Sequence, residues 1–333
     1  MNSRFLSNGR RRRACLTLCV CVVFLFLVCC NTYEPLTVSG MMEHTNLLVE
    51  RKPSKVFINP KVKCRDNSTK NTVIMVLNKA SSSLRRETIR QTWGHLEMQR
   101  KYNFSIYFVI GNEEGAGLKT TDRDNEDILH VDVDEDYFNI TEKVIEALNW
   151  ATHSCFESSY FFKIDDDVYF DLEFLREIQN DRNFVSDDVI RGDCLPETGP
   201  FRWTSKFRVS YDDYPFQVYP PYCGGPGYVM TMRTAHKLYR EMVNTAVFKF
   251  EDVYVGIAAY KQGITVENVE YFIYAMDRFP QYFFIKCARI VHNLTPELIT
   301  KFWNDRNKRS KVECSNWGKG VSIIQTLFGV FSS

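Results

Sequence analysis

Several motifs that announce a function are missing from this sequence. No G-x-G-x-x-G follows the first strand-like run, so a dinucleotide site of the usual kind has no support. No G-x-x-x-x-G-K-[ST] offers a phosphate loop, and no close C-x-x-C pair suggests zinc. There is no internal repeat and no low-complexity tract. Charge excess is missing too: 42 basic and 41 acidic residues among 333 leave a formal net charge of +1. Residues 1–30 hold five of the basic groups and no acid, so the remainder carries 37 against 41, net −4. That balance argues against a polyanion held by general charge, nucleic acid included. What is present is a folding composition, 44% hydrophobic and 14% aromatic, which excludes a disordered or collagen-like chain.

Residues 14–30 carry no charge. As a helix they span roughly 26 Å, the short end of what crosses a bilayer. Arg10, Arg11, Arg12 and Arg13 precede them and the next charge is Glu34, so the positive-inside rule leaves the N-terminus cytosolic. A cleaved signal peptide is the alternative, but Val28-Cys29-Cys30-Asn31-Thr32 makes a poor small-x-small cleavage site. The expected layout is a cytoplasmic tail over 1–13, a signal-anchor over 14–30, a luminal stem over 31–70 and a luminal catalytic domain over 71–333. Five of the 11 cysteines lie in the apolar segment. The six beyond it, Cys64, Cys155, Cys194, Cys223, Cys287 and Cys314, fit bridges in an oxidising lumen, with 15 pairings open. Sequons at Asn67, Asn103, Asn139 and Asn293 agree with that compartment as candidate glycosylation sites. Together they predict a secretory-pathway, single-pass type II membrane protein.

Strand-like runs alternate with helical patterns: Thr72 to Leu77, a helix from Leu84 to Trp93, Ser105 to Ile110, Asp127 to Val133, a helix from a capping-box pair (Asn139, Glu142) through Ala151, and Tyr160 to Ile164. Later come a strand over Gly227 to Thr231, helices near Ala235 to Val243 and Glu251 to Tyr260, and a strand near Val266 to Ile273. Such alternation predicts an α/β fold with a mainly parallel central sheet, whose ligands bind beyond the carboxyl ends of the strands.

Asp165, Asp166 and Asp167 stand at such an end. Three adjacent carboxylates repel one another, and a divalent cation removes the cost. Alternation along a strand puts Asp165 and Asp167 on one side and Asp166 on the other. A solvated acidic turn or an ordinary calcium site is the bland alternative. A D-x-D-like element after an apolar strand, in a luminal domain, suggests a nucleotide-sugar glycosyltransferase. Glu251 and Asp252 open a helix, where acids are favoured by the dipole and where one of them could serve as a base.

Four ordered motifs carry a resemblance: Arg85-Arg86-Glu87-Thr88-Ile89-Arg90-Gln91-Thr92-Trp93-Gly94, Lys163-Ile164-Asp165-Asp166-Asp167-Val168, Tyr219-Pro220-Pro221-Tyr222-Cys223-Gly224-Gly225-Pro226-Gly227-Tyr228 and Glu251-Asp252-Val253-Tyr254-Val255-Gly256. They resemble the beta-1,3-glycosyltransferases of glycosyltransferase family 31, over residues 72 to 305. The resemblance implies a GT-A type fold, a UDP-sugar donor, a glycan acceptor on glycoprotein or glycolipid, Mn²⁺ and Golgi membrane residence. It implies Asp167 and His292 as metal ligands, with Asp165, Asp166, Arg86 and Arg90 toward the donor. Asp252 becomes the catalytic base, and Glu251 and Tyr222 acceptor contacts, with Trp203 and Tyr214 as further candidates to line that cleft. Trp93 reads as core. The expected reaction is inverting transfer of galactose from UDP-galactose to a 3-hydroxyl, with UDP-N-acetylglucosamine as the alternative donor and a non-catalytic glycan-binding protein as the other class.

Overall fold

Six consecutive buried residues make β2 (Thr72–Leu77), as a strand covered on both faces requires. It lies between β3 (Phe104–Asn112) and β5 (Tyr160–Asp165), parallel to both, and β3 is parallel to β4 (Ile128–Asp134). These four form the middle of an eight-stranded sheet in the order β1-β4-β3-β2-β5-β8-β7-β9, with β1 (Val56–Ile58), β7 (Val189–Leu195), β8 (Tyr222–Thr231) and β9 (Thr265–Asn268). β8 runs antiparallel to both of its neighbours. The expected mainly parallel sheet is therefore parallel at its centre and mixed on the β8 side. The computed structural model describes residues 54–306, apart from 62–63, 65–69, 116–121, 123–124, 182–183, 185–187, 204–205, 270–271 and 274–287.

Helices cover both faces. On one, α3 (Ile140–Ser154), α5 (Met232–Met242) and α6 (Glu251–Lys261) pack on Val73, Met75, Tyr107, Phe161 and Met230. On the other, α1 (Ser83–Gln91), α4 (Leu172–Asn180) and α7 (Pro296–Asp305) enclose Ile74, Val76, Phe108, Phe162 and Ile164. The short α2 (Leu96–Tyr102) leads into β3. α5 and α7 start on threonine caps, Thr231 and Thr295, and Pro296 occupies the first turn of α7, where a missing N–H costs nothing. Trp93 is fully buried, donating to Val168 O at 3.0 Å, as its core reading expects.

Three expectations change. The end of the expected stem is part of the sheet: β1 pairs with β4, and Trp150 Nε1 donates to Asn59 Oδ1 at 2.7 Å, so the folded unit starts before residue 71. The Asn139 side chain does not cap α3 but donates to Asp134 O, because a 3-10 turn (Tyr137–Asn139) enters the helix directly. The strand expected over Val266 to Ile273 is two strands in different sheets, since β10 (Phe272–Ile273) joins β11 (Ile290–Val291) and β6 (Tyr169–Phe170). Two disulfides resolve part of the cysteine pairing, Cys64–Cys155 and Cys194–Cys223. The tail, the anchor, most of the stem, Asn67, Cys287 and Cys314 lie outside the described residues. Among the described residues no helix is long and apolar enough to cross a membrane.

Candidate functional site

Asp165 ends β5 level with Leu77 of β2, so the aspartate run leaves the carboxyl end of the parallel strands. β6 follows at once and pairs antiparallel with β11, Val291 opposite Tyr169. Leu294 N donates to Asp167 O at 2.9 Å. This two-residue pairing delivers His292 from far along the chain: its Nε2 is 3.1 Å from Asp167 Oδ1 and 3.9 Å from Asp165 Oδ2. One ligand atom from each of the three lies within 4.8 Å of the others. Asp167 Oδ1 is buried and faces the ring nitrogen of His292, so it is bonded only when that nitrogen carries a proton, and a cation between the three would satisfy both groups. Two carboxylates and an imidazole suit a divalent metal, so the residues present fit one. Asp165, expected toward the donor, thus also belongs to the candidate ligand group.

Asp166 points elsewhere, but β5 ends at Asp165, so the turn that holds Asp166 and Asp167 sets their directions rather than strand alternation. Its Oδ2 accepts Asn78 Nδ2 at 2.5 Å, and Arg85 NH1 stands 3.7 Å from its Oδ1. Burial, helped by Asp167 and opposed by Arg85, pushes its carboxyl up to about 6. Arg86 is not available to a donor. All five of its N–H groups face inward: onto Asp122 at 2.9 and 2.7 Å, Lys79 O at 2.5 Å, Ala80 O at 2.8 Å, and Asn78 Oδ1. Arg90 is bidentate to Asp127 and also reaches Asp122. The expected direct donor contact by these two arginines is thereby corrected. Arg86 shapes the β2–α1 loop and through Asn78 places Asp166, while Arg90 helps hold Asp122.

The second carboxylate pair opens α6, whose N-cap residue, Phe250, supplies no side-chain cap. Two acids in the first turn meet the positive end of the helix instead. Glu251 is buried, with Oε1 accepting Tyr228 OH at 2.7 Å and Oε2 lying 3.6 Å from Lys163 Nζ. Both oxygens are engaged inside the protein, so the expected acceptor contact by Glu251 is corrected to an internal anchor of α6. Burial, opposed by Lys163 and aided by Asp252, pushes its carboxyl up to about 7. Asp252 is only partly buried, and its Oδ1 accepts Val253 N at 2.8 Å. Burial raises its pKa against the pull of that N–H and of Lys163.

Tyr222 is half-buried at the start of β8, and its hydroxyl is pushed up to about 12 by burial and then by Asp252. Gly256 of α6 lets the helix come this close, since a Cβ there would stand 2.5 Å from Tyr222 Cβ. Tyr137, half exposed in the 3-10 turn, also lies in the field of Asp252 and Asp165. Tyr214 is buried among Phe216, Tyr219 and Phe248, so it lines no cleft, whereas Trp203 is 86% exposed. Among the sequons, Asn293 is exposed with φ +63°, Asn103 closes α2 with φ +52°, and Asn139 is half-buried. Sequence reasoning missed Asn78, Tyr228 and above all Lys163. The available signal was a lone charge inside the apolar run of β5.

A family model described as Galactosyltransferase matches residues 84–270, more than half of the chain. The Drosophila melanogaster beta-1,3-galactosyltransferase brn is 27% identical over 237 residues, covering 70% of this chain and 73% of that protein. The Homo sapiens UDP-GalNAc:beta-1,3-N-acetylgalactosaminyltransferase 1 is 33% identical over 197 residues, 56% of this chain and 58% of that protein. The Mus musculus beta-1,3-galactosyltransferase 1 is 27% identical over 272 residues, 78% of this chain and 80% of that protein.

Proposed function

We propose, from the premise that this chain belongs to the galactosyltransferase family, that it is an inverting beta-1,3-galactosyltransferase of GT-A type. It moves galactose from UDP-galactose to a 3-hydroxyl of a glycan on protein or lipid. The observation that carries the reading is the convergence of Asp165, Asp167 and His292 at one end of the sheet, with Asp252 joined to them through Lys163 and Glu251.

Asp165, Asp167 and His292 would hold Mn²⁺, which when bound offsets the negative charge on a departing diphosphate. Asp252, the partly exposed member of its pair, accepts the proton of the acceptor hydroxyl as that oxygen attacks the anomeric carbon. Glu251 sets the position of α6, and Tyr222 beside Asp252 offers an aromatic face to the acceptor. The anchor over 14–30, the stem and Golgi membrane residence complete the proposal, supported by the charge pattern and the disulfides.

UDP-GalNAc is a second donor to consider, because the human relative at 33% identity carries that name. The test is a donor screen with the full-length protein in detergent: UDP-galactose, UDP-GalNAc and UDP-GlcNAc, each with Mn²⁺ and a panel of galactose- and amino-sugar-terminated acceptors. Transfer from UDP-galactose with a β1–3 product is expected. Turnover only with another donor replaces the sugar, and no turnover with any donor removes the catalytic reading.

A further inference from the structure

Lys163 sits in the middle of β5 with its side chain essentially inaccessible to solvent, in a strand otherwise apolar until Asp165. It faces Tyr228 across the antiparallel β5–β8 pair. Its Nζ donates to Asp165 Oδ1 at 2.7 Å and to Gly225 O, lies 3.6 Å from Glu251 Oε2, and stands 5.8 Å from the centre of the Tyr228 ring. Tyr228 OH in turn donates to Glu251 Oε1. A buried ammonium is costly to desolvate and persists only when its partners surround it. Here the partners come from three elements, Asp165 from β5, Gly225 and Tyr228 from β8 and Glu251 from α6.

The two oxygens of Asp165 divide their work. Oδ1 is held by Lys163, and Oδ2 faces His292 and the candidate metal position. Glu251 divides likewise between Tyr228 and Lys163, and Asp252 is the next residue along.

We infer that Lys163 is a positioning residue that ties Asp165 to Glu251 and so fixes the distance between the candidate metal position and the helix carrying Asp252, while competing with the cation for the Asp165 carboxylate. The inference rests on the proposed roles of Asp165 and Asp252. It makes a prediction with two opposite signs. Lys163 shares the Asp165 carboxylate with the cation and repels it, so removing the ammonium tightens metal binding. The same removal frees Asp165 and α6 from their common tether, and a misplacement of about 1 Å can cost on the order of 100-fold in turnover. A purely structural defect weakens both.

The experiment compares Lys163→Met with the charge-balanced pair Lys163→Met/Glu251→Gln, using Glu251→Gln alone as the reference, all in the full chain. The double variant guards against misfolding, since it neutralises Glu251, the more buried of the two carboxylates that lose the ammonium; thermal unfolding reports whether it folds. Mn²⁺ binding is followed by electron paramagnetic resonance with no sugar present, and kcat is measured with the best donor of the screen. Against the reference, the double variant should bind Mn²⁺ about tenfold tighter and turn over about 100-fold more slowly. Weaker binding together with slower turnover, or no change in either, overturns the inference. Absence of Mn²⁺ binding to the unaltered protein overturns it along with the metal reading. Should the unaltered protein bind Mn²⁺ yet transfer no sugar, the proposed function fails and the Mn²⁺ titration alone decides the role of Lys163.

Discussion

At the scale of single residues, neighbours with the same chemistry have different tasks because their environments differ. Glu251 is sealed against Tyr228 and Lys163, whereas Asp252 keeps a path to solvent. Asp252→Asn should lower kcat about 10²- to 10⁴-fold and leave the dissociation constant for UDP-galactose unchanged. Isothermal titration beside steady-state assay checks this, and unaltered turnover would remove the base role. Asp167→Ala should abolish saturable Mn²⁺ dependence, a normal metal titration counting against it as ligand. The buried Arg86–Asp122 pair gives a stability prediction. Burial alone would raise the Asp122 pKa, but Arg86 and Arg90 outweigh it and hold the group below its ordinary 3.8. A folded value below the unfolded one means the stabilisation is complete above about pH 3.8 and is lost as pH falls through the folded value. Asp122→Asn should therefore cost about 3–5 kcal/mol at pH 7, by stranding Arg86, and the deficit should shrink below pH 3.8. Urea unfolding at pH 7 and pH 3 measures it; an equal deficit at both would contradict the pairing.

At the scale of elements, the site depends on α6 lying close to the start of β8. A Cβ on Gly256 would fall 2.5 Å from Tyr222 Cβ and 2.9 Å from Pro221 O, neither a flexible chain end. Gly256→Ala should cost about 1–3 kcal/mol by overpacking and lower kcat more than it changes the affinity for UDP-sugar, since it displaces Asp252 rather than the aspartate run. Thermal unfolding with kcat and donor titration tests this; a variant with unaltered stability and rate would mean the helix is free to shift. The β6–β11 pairing is the other element-scale device. Two residues on each side suffice because Leu294 N and Arg85 NH1 add bonds, one to Asp167 O and one from Arg85 to Leu294 O, just beyond His292.

At the scale of the whole molecule, two disulfides tie distant parts together. Cys64–Cys155 spans 91 residues and holds the segment leading into β2 against the end of α3, while Cys194–Cys223 spans 29 and joins adjacent strands. On chain-entropy grounds the first should stabilise by about 4–5 kcal/mol and the second by about 3–4 kcal/mol. Cys64→Ser/Cys155→Ser should thus lower the melting temperature more than Cys194→Ser/Cys223→Ser; the reverse order would show that native-state strain, not loop length, governs. The central strands and most helices were legible in the sequence because local periodicity dictates them: the run Thr72 to Leu77, apolar after its first residue, fits a doubly covered strand. The aspartate run and Glu251-Asp252 were legible as well, since like charges in apolar company demand an explanation. β1 was not legible, being three exposed residues whose strand state exists only through β4. Nor were the inward turn of Arg86 and the sealing of Glu251, because a charged side chain carries no local mark of which way it faces. Sequence alone determined which chemical groups are present and the alternation that builds the sheet. Only the tertiary structure decided which carboxylates meet His292 and that Glu251 is held by Lys163, because those are contacts between segments more than 60 residues apart, made by packing rather than by spacing.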